Sequence, residues 1–231
     1  MKGISAIPAE LRGKVVFIVG NGQSKRFYNI QTLGRYGLIF AANQAFKEHW
    51  VDLLGYRDDD MLPLCSPWPG NKVTWIQAPE RDGGKYVQAA KNIYGFDYLD
   101  DKLPRLHGGD LNPNSPNHPD WGKGDFVKKG STGFIMAQIA VRIGCMVLIL
   151  VGCDCAFLRG YESSKTTEDD STHLRGTVLD RYQGFAEQFT GLAKYAESKG
   201  ILVYKLGQFG NVEVPVIEAH ELLGFEPIRN F

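Results

Sequence analysis

The chain has 231 residues, 43% of them hydrophobic and 12% aromatic, enough to build a full core and too many for a globally disordered chain. Lys plus Arg number 26, as do Asp plus Glu, so there is no net pull towards nucleic acid or acidic membranes, and only a local patch is left for such partners. The N-terminus carries no apolar run behind its single lysine, and no apolar stretch anywhere reaches about 18 residues. The expectation is a soluble, cytoplasmic chain forming one domain over residues 1–231, with no membrane span and with a homo-oligomer left open.

In chain order, the apolar run 15–19 stops at Gly20-Asn21-Gly22, and Ser24 opens a helical segment. This reads as the first strand-turn-helix of a nucleotide-binding α/β domain, with backbone N–H groups at the helix start facing a phosphate. The turn is neither a G-x-G-x-x-G fingerprint, since position 25 is Lys, nor a Walker loop. Further continuous apolar runs at 38–42, 73–77, 146–152 and 201–206 predict strands buried on both faces of a parallel sheet. The spacing predicts helices over 131–143, closed by Gly144, and over 178–199, closed by Gly200. Helix followed by strand, repeated, predicts a Rossmann-like, doubly wound, mainly parallel α/β sheet. Two regions interrupt it: a Pro/Gly-rich loop at 104–130, and a polar loop at 155–177 that leaves the fourth of these strands and reads as a lid.

The candidate site residues stand at expected strand and helix ends. Asn21 is placed to orient a ligand, or to take a left-handed turn conformation beside Gly22. Asn43 and Gln44 follow the second strand, as readers of a base or sugar hydroxyl or as a helix cap over 44–50. Ser131, Thr132 and Gly133 open a helix, either as an anion site or as its N-cap. Asp154 ends a strand, where a carboxylate binds a ribose hydroxyl, holds a metal-bound phosphate, orients a histidine, or satisfies loop N–H groups. His173 is the histidine of choice, in an acidic loop within reach of the strand ends. His49 and His220 fall in helical patterns, and His107 and His118 in the Pro-rich loop. No two histidines have zinc-ligand spacing, so no metal site is expected from them. Cys65, Cys145, Cys153 and Cys155 read as buried reduced thiols.

Four pieces in order, V-G-N-G-Q-S, A-A-N-Q-A-F, S-T-G-F-I-M-A-Q-I-A-V-R-I-G with V-L-I-L-V-G-C-D, and D-D-S-T-H, resemble the bacterial lipooligosaccharide sialyltransferases. They also resemble the related domain of flagellin-glycosylation proteins and of an archaeal hydroxymethylpterin pyrophosphokinase. The matched pieces cover about a third of the chain. The resemblance implies a CMP-sugar donor held by Asn21, Gly22, Asn43, Gln44, Ser131, Thr132 and Gly133. It further implies His173 as general base on an acceptor hydroxyl, a glycan or small molecule, and Tyr161 as a hydroxyl donor to the departing phosphate. A second lid tyrosine of that family has no match, because Ala156-Phe157 stands in its place. The implied activity is a glycosyltransferase needing no cofactor. One alternative is a Mg²⁺-dependent pyrophosphokinase using Asp154 with Asp169 or Asp170. The other is a nucleotide-binding module without turnover.

Overall fold

The computed structural model describes residues 2–56, 61–75, 93–98, 126–127, 131–155 and 175–224. These contain the strands β1 (Lys2–Gly3), β2 (Val15–Val19), β3 (Leu38–Ala42), β4 (Leu53–Gly55) and β5 (Asn71–Trp75). They also contain β6 (Ile93–Tyr98), β7 (Phe126–Val127), β8 (Val147–Val151), β9 (Leu202–Leu206) and β10 (Val216–Ile217). The α-helices are α1 (Ile30–Leu33), α2 (Leu62–Cys65), α3 (Thr132–Arg142) and α4 (Arg175–Glu197).

The strands form one sheet in the order β1-β6-β5-β4-β3-β2-β8-β9-β10, with β7 paired to β6. Every pairing is parallel. From β2 the chain winds outward through β3, β4, β5 and β6, then returns through α3 to β8 on the other side of β2. The winding therefore reverses between β2 and β8, where open α/β sheets leave a crevice outside the strand carboxyl ends.

All five residues of β2, β3 and β8 are buried, because helices cover both faces of the sheet. Alternate residues divide between two cores. Val16, Ile18, Leu38, Phe40, Leu148 and Leu150 meet α3 and α4. Val15, Phe17, Val19, Ile39, Ile149 and Val151 meet Ile30, Leu33, Met61 and Cys65 on the opposite face. Each such aliphatic side chain contributes about 1.5–3 kcal/mol when fully buried. Helix α3 lies close against the sheet: a Cβ on Gly55 would stand 2.1 Å from Met136 Sδ. Phe134 meets Phe189 of α4 edge-on, with centroids 5.4 Å apart.

The doubly wound parallel α/β fold agrees with the sequence reading, which differs in detail. The strand expected at 73–77 begins at Asn71, and α4 begins at Arg175, three residues before its expected start. The helix expected from Ser24 is a 3-10 helix, Gln23–Phe27, followed by the single turn of α1. A short strand, β7, lies inside the expected 104–130 loop, whose remainder is outside the described residues. Residues 156–174 of the expected lid are likewise outside them.

Candidate functional site at the strand carboxyl ends

The turn after β2 is pressed against the end of β8. Gly20 N donates to Val151 O at 2.8 Å and Gly22 N to Gly152 O at 2.7 Å. Gly22 has φ −63°, so it is glycine for space rather than conformation: a Cβ there would lie 2.5 Å from both Asp154 Oδ2 and Gly152 O. Ser24 N donates to Asp154 Oδ2 at 3.0 Å, and Ser24 Oγ donates to Asp154 Oδ1. Asp154 and Ser24 are both buried. This corrects the sequence picture of a phosphate cradle, because the N–H groups of Gly22 and Ser24 already have partners within the protein. Asp154 takes the loop-satisfying position among the roles open to it.

Asn21 is partly buried at the end of β2 and does not take the left-handed conformation considered for it. Asn43 does, with φ 56°, and Cys155 shares it at φ 46°. Asn43 begins a 3-10 helix, Asn43–Lys47, with Gln44 as its second residue. The helix ends short of Trp50, and His49 sits in the bend beyond it rather than in a helix. The carbonyl of Asn43 accepts from Cys65 Sγ at 3.5 Å. Its side-chain Oδ1 is buried and has no hydrogen-bond partner among the described residues, a condition that costs about 1–3 kcal/mol in a folded protein.

Helix α3 runs back from the carboxyl end of the sheet, so its first residues return to the same edge. Ser131 is its N-cap and accepts from Phe134 N at 3.2 Å. Thr132 is buried. A Cβ on Gly133 would stand 3.8 Å from Cys153 Sγ and meet no closer atom, which places the helix head beside the end of β8. The loop after β9 completes this edge. Asn211 N donates to Asp154 O at 2.9 Å and Asn211 Nδ2 to Cys155 O at 3.2 Å. Phe27 and Phe209 stack in the open with centroids 4.8 Å apart. Burial, then Glu218 and Asp154, push the Tyr28 hydroxyl above its ordinary range.

The structure thus brings Asn21, Gly22 and Asp154 to the β2/β8 switch point, Asn43 and Gln44 to the next strand end, and Ser131 and Gly133 beside Cys153. His173 and Tyr161 lie outside the described residues. No site role for Ser24, Lys25 or the Phe27–Phe209 pair is expected from the sequence. For the first two the available signal was a hydroxyl and a cation directly behind the turn. A cavity of about 480 Å³ lined by Val141, Arg142, Met146, Tyr195 and Lys199 lies at the opposite, amino-terminal end of β8 and β9, away from these residues.

All four cysteines are free; Cys65 and Cys145 are buried, Cys153 and Cys155 partly so. Burial pushes the Cys145 and Cys155 thiols up to about 12, and Cys153 well above its ordinary value. These thiols are expected to react with iodoacetamide at pH 8 at least about a hundredfold more slowly in the native protein than after unfolding. A fast native thiol among the three, located by peptide mapping, would contradict that environment.

Fold and strand ends together define a Rossmann-like α/β domain, doubly wound about the β2/β8 switch point. No protein-family model matches the chain, and no curated protein matches it. Among the described residues, no helix is long and apolar enough to cross a membrane.

Proposed function

We propose that this chain is a glycosyltransferase that takes a sugar from a nucleotide-activated, CMP-linked donor and passes it to an acceptor hydroxyl in one inverting displacement. The observation that carries the reading is Asn43 at the end of β3, left-handed and with a buried side-chain oxygen that lacks a partner among the described residues. A ligand that donates to that oxygen, once the strand end opens enough to expose it, removes the cost of leaving it unsatisfied. Asn21 on the neighbouring strand end, and Ser131 and Thr132 at the head of the 11-residue helix α3, supply further polar groups where ligands of such sheets bind. A helix head also favours the charge of a nucleotide phosphate.

In this reading Asn21, Asn43, Gln44, Ser131, Thr132 and Gly133 hold the donor, and Gly22 leaves the room that lets the turn seat against Gly152 and Asp154. The acceptor oxygen bonds to the anomeric carbon while the bond from that carbon to the phosphate oxygen breaks. The electron pair of that bond leaves with the nucleotide, and the acceptor proton goes to His173. Tyr161 donates a hydrogen bond to the departing phosphate. The Mg²⁺-dependent alternative calls on Asp154 as a metal ligand. Asp154 is buried and both its oxygens accept from Ser24, which favours the metal-free reading.

A thermal-shift screen against CMP, CDP, UDP, GDP and ATP, with and without Mg²⁺, tests the reading. CMP is expected to raise the Tm without Mg²⁺, by the equivalent of about 2.7 kcal/mol at a hundred times Kd. His173→Ala is expected to lower transfer by roughly 10²–10⁴-fold and to keep the CMP shift. Stabilisation by no nucleotide, or full transfer in His173→Ala, would overturn it. CMP binding with no transfer to any acceptor would leave a binding module instead.

A further inference from the structure

We propose that Lys25 is the phosphate-binding cation of this site, exchanging its ion pair with Glu48 for the phosphate of an incoming nucleotide. The proposal rests on the nucleotide-binding part of the reading above and assigns the group that faces the phosphate.

The path of Lys25 follows from its neighbours. Its backbone N donates to Gly22 O at 3.3 Å, within the 3-10 helix that leaves the β2 turn. Its Cβ stands 2.9 Å from the point where a Cβ on Gly152 would be. The side chain therefore starts over the β2/β8 switch point. It ends at Glu48 on the loop after β3, with Nζ to Oε2 at 3.3 Å. Between those points it spans the ends of β2 and β3, which carry Asn21 and Asn43. Only 16% of the Lys25 side chain is exposed, against 60% for Glu48.

Local charge gives this placement its meaning. In a nucleotide-binding turn, free N–H groups normally meet the phosphate. Here Gly22 N is bound to Gly152 O and Ser24 N to Asp154, and Asp154 adds a buried carboxylate beneath the turn. A phosphate at this edge meets fewer donors and one negative charge, so it requires a cation reaching over the turn. Lys25 is placed to be that cation.

Glu48 is a weak holder for it. An ion pair with an exposed carboxylate contributes about 0–1 kcal/mol, whereas a charge-assisted bond to phosphate is about twice as strong as a neutral one. His49 Nε2 also approaches Glu48 Oε2, at 3.4 Å. Burial, with the Lys25 charge next in importance, holds the imidazole below its ordinary value. Despite the opposing pull of Glu48, this shift favours the neutral imidazole, which neither displaces Lys25 from Glu48 nor competes for the phosphate.

Titration calorimetry with CMP and cytidine separates the phosphate from the nucleoside. Wild-type protein is expected to bind CMP more tightly than cytidine. Lys25→Gln is expected to weaken CMP by about tenfold or more, with cytidine affinity held within about twofold. Lys25→Arg is expected to restore most of the CMP preference, and Glu48→Gln to leave CMP binding equal or tighter. A folded Lys25→Gln with an unchanged CMP-to-cytidine ratio would overturn the proposal alone, as would equal losses for both probes. Wild-type protein that binds neither probe would overturn the nucleotide reading and this proposal with it. Should Lys25→Gln not fold, weaker CMP binding in folded Glu48→Gln would still overturn it.

Discussion

Asp154→Ala is expected to lower the free energy of unfolding by about 2–4 kcal/mol, measured by urea denaturation. The carboxylate accepts from both Ser24 N and Ser24 Oγ in a buried turn. Truncation leaves two buried donors to find other partners, and each one left unsatisfied costs about 1–3 kcal/mol. Asp154→Asn is expected to fall between the two proteins, because an amide presents one acceptor to two donors. The variant also tests what the carboxylate does for a ligand. If it serves to hold the turn, folded Asp154→Asn, which keeps an acceptor for the turn and removes the negative charge beneath it, binds CMP at least as well as wild type. A folded variant that loses CMP affinity would make Asp154 a ligand-binding group, as for a ribose hydroxyl. A stability loss below about 0.5 kcal/mol would show that the Ser24 bonds matter little.

The pairing behind this prediction spans 130 residues of sequence, which explains why the sequence exposes only half of it. The apolar runs of β2 and β8 end visibly, so Asn21 and Asp154 can be placed at strand ends, but nothing local says that Asp154 reaches Ser24. The same contrast runs through the fold. Strands β2 and β3 agree to the residue with continuous apolar runs, because burial on both faces removes polar residues from them. Strand β5 begins two residues early because Lys72 is fully buried in it, its Nζ donating to Gly70 O at 3.0 Å and to Trp68 O. Burial lowers the Lys72 pKa from its ordinary value. A lysine satisfied by a neighbouring loop's carbonyls looks, in sequence, like the end of a strand. Strand β4 is only Leu53–Gly55, and Gly55 is there to admit Met136 of α3, a distant constraint. At the site, a left-handed asparagine is legible as a type, and the neighbouring Gly22 directs attention to Asn21. Asn43 takes that conformation instead, at the point where β3 gives way to a 3-10 helix.

Gly20→Ala is expected to cost about 3 kcal/mol and to abolish nucleotide binding before it abolishes folding. A Cβ at Gly20 would stand 2.4 Å from Gly152 O and 3.0 Å from Gly152 C. Both atoms are backbone of the neighbouring strand end, so no side-chain rotation relieves the contact. Relief requires β2 and β8 to part, which strains the bonds of Gly20 N to Val151 O and Gly22 N to Gly152 O. Those bonds seat the turn from which Asn21 and Lys25 project. Gly13→Ala is the matched control, since Gly13 has φ +61° and, among the described residues, nothing within 4 Å of an added Cβ. It precedes the amino end of β2, far from the strand carboxyl ends, and its cost is conformational, about 1–2 kcal/mol. Gly13→Ala is therefore expected to lose stability and keep CMP binding, whereas Gly20→Ala loses both. Equal, small losses with binding intact in the two variants would mean that the close approach of β2 and β8 relaxes readily and does not set the site. The expected split between them would instead tie binding to the spacing of two backbones, so that the glycine matters for how near β8 can come rather than for any contact with a ligand.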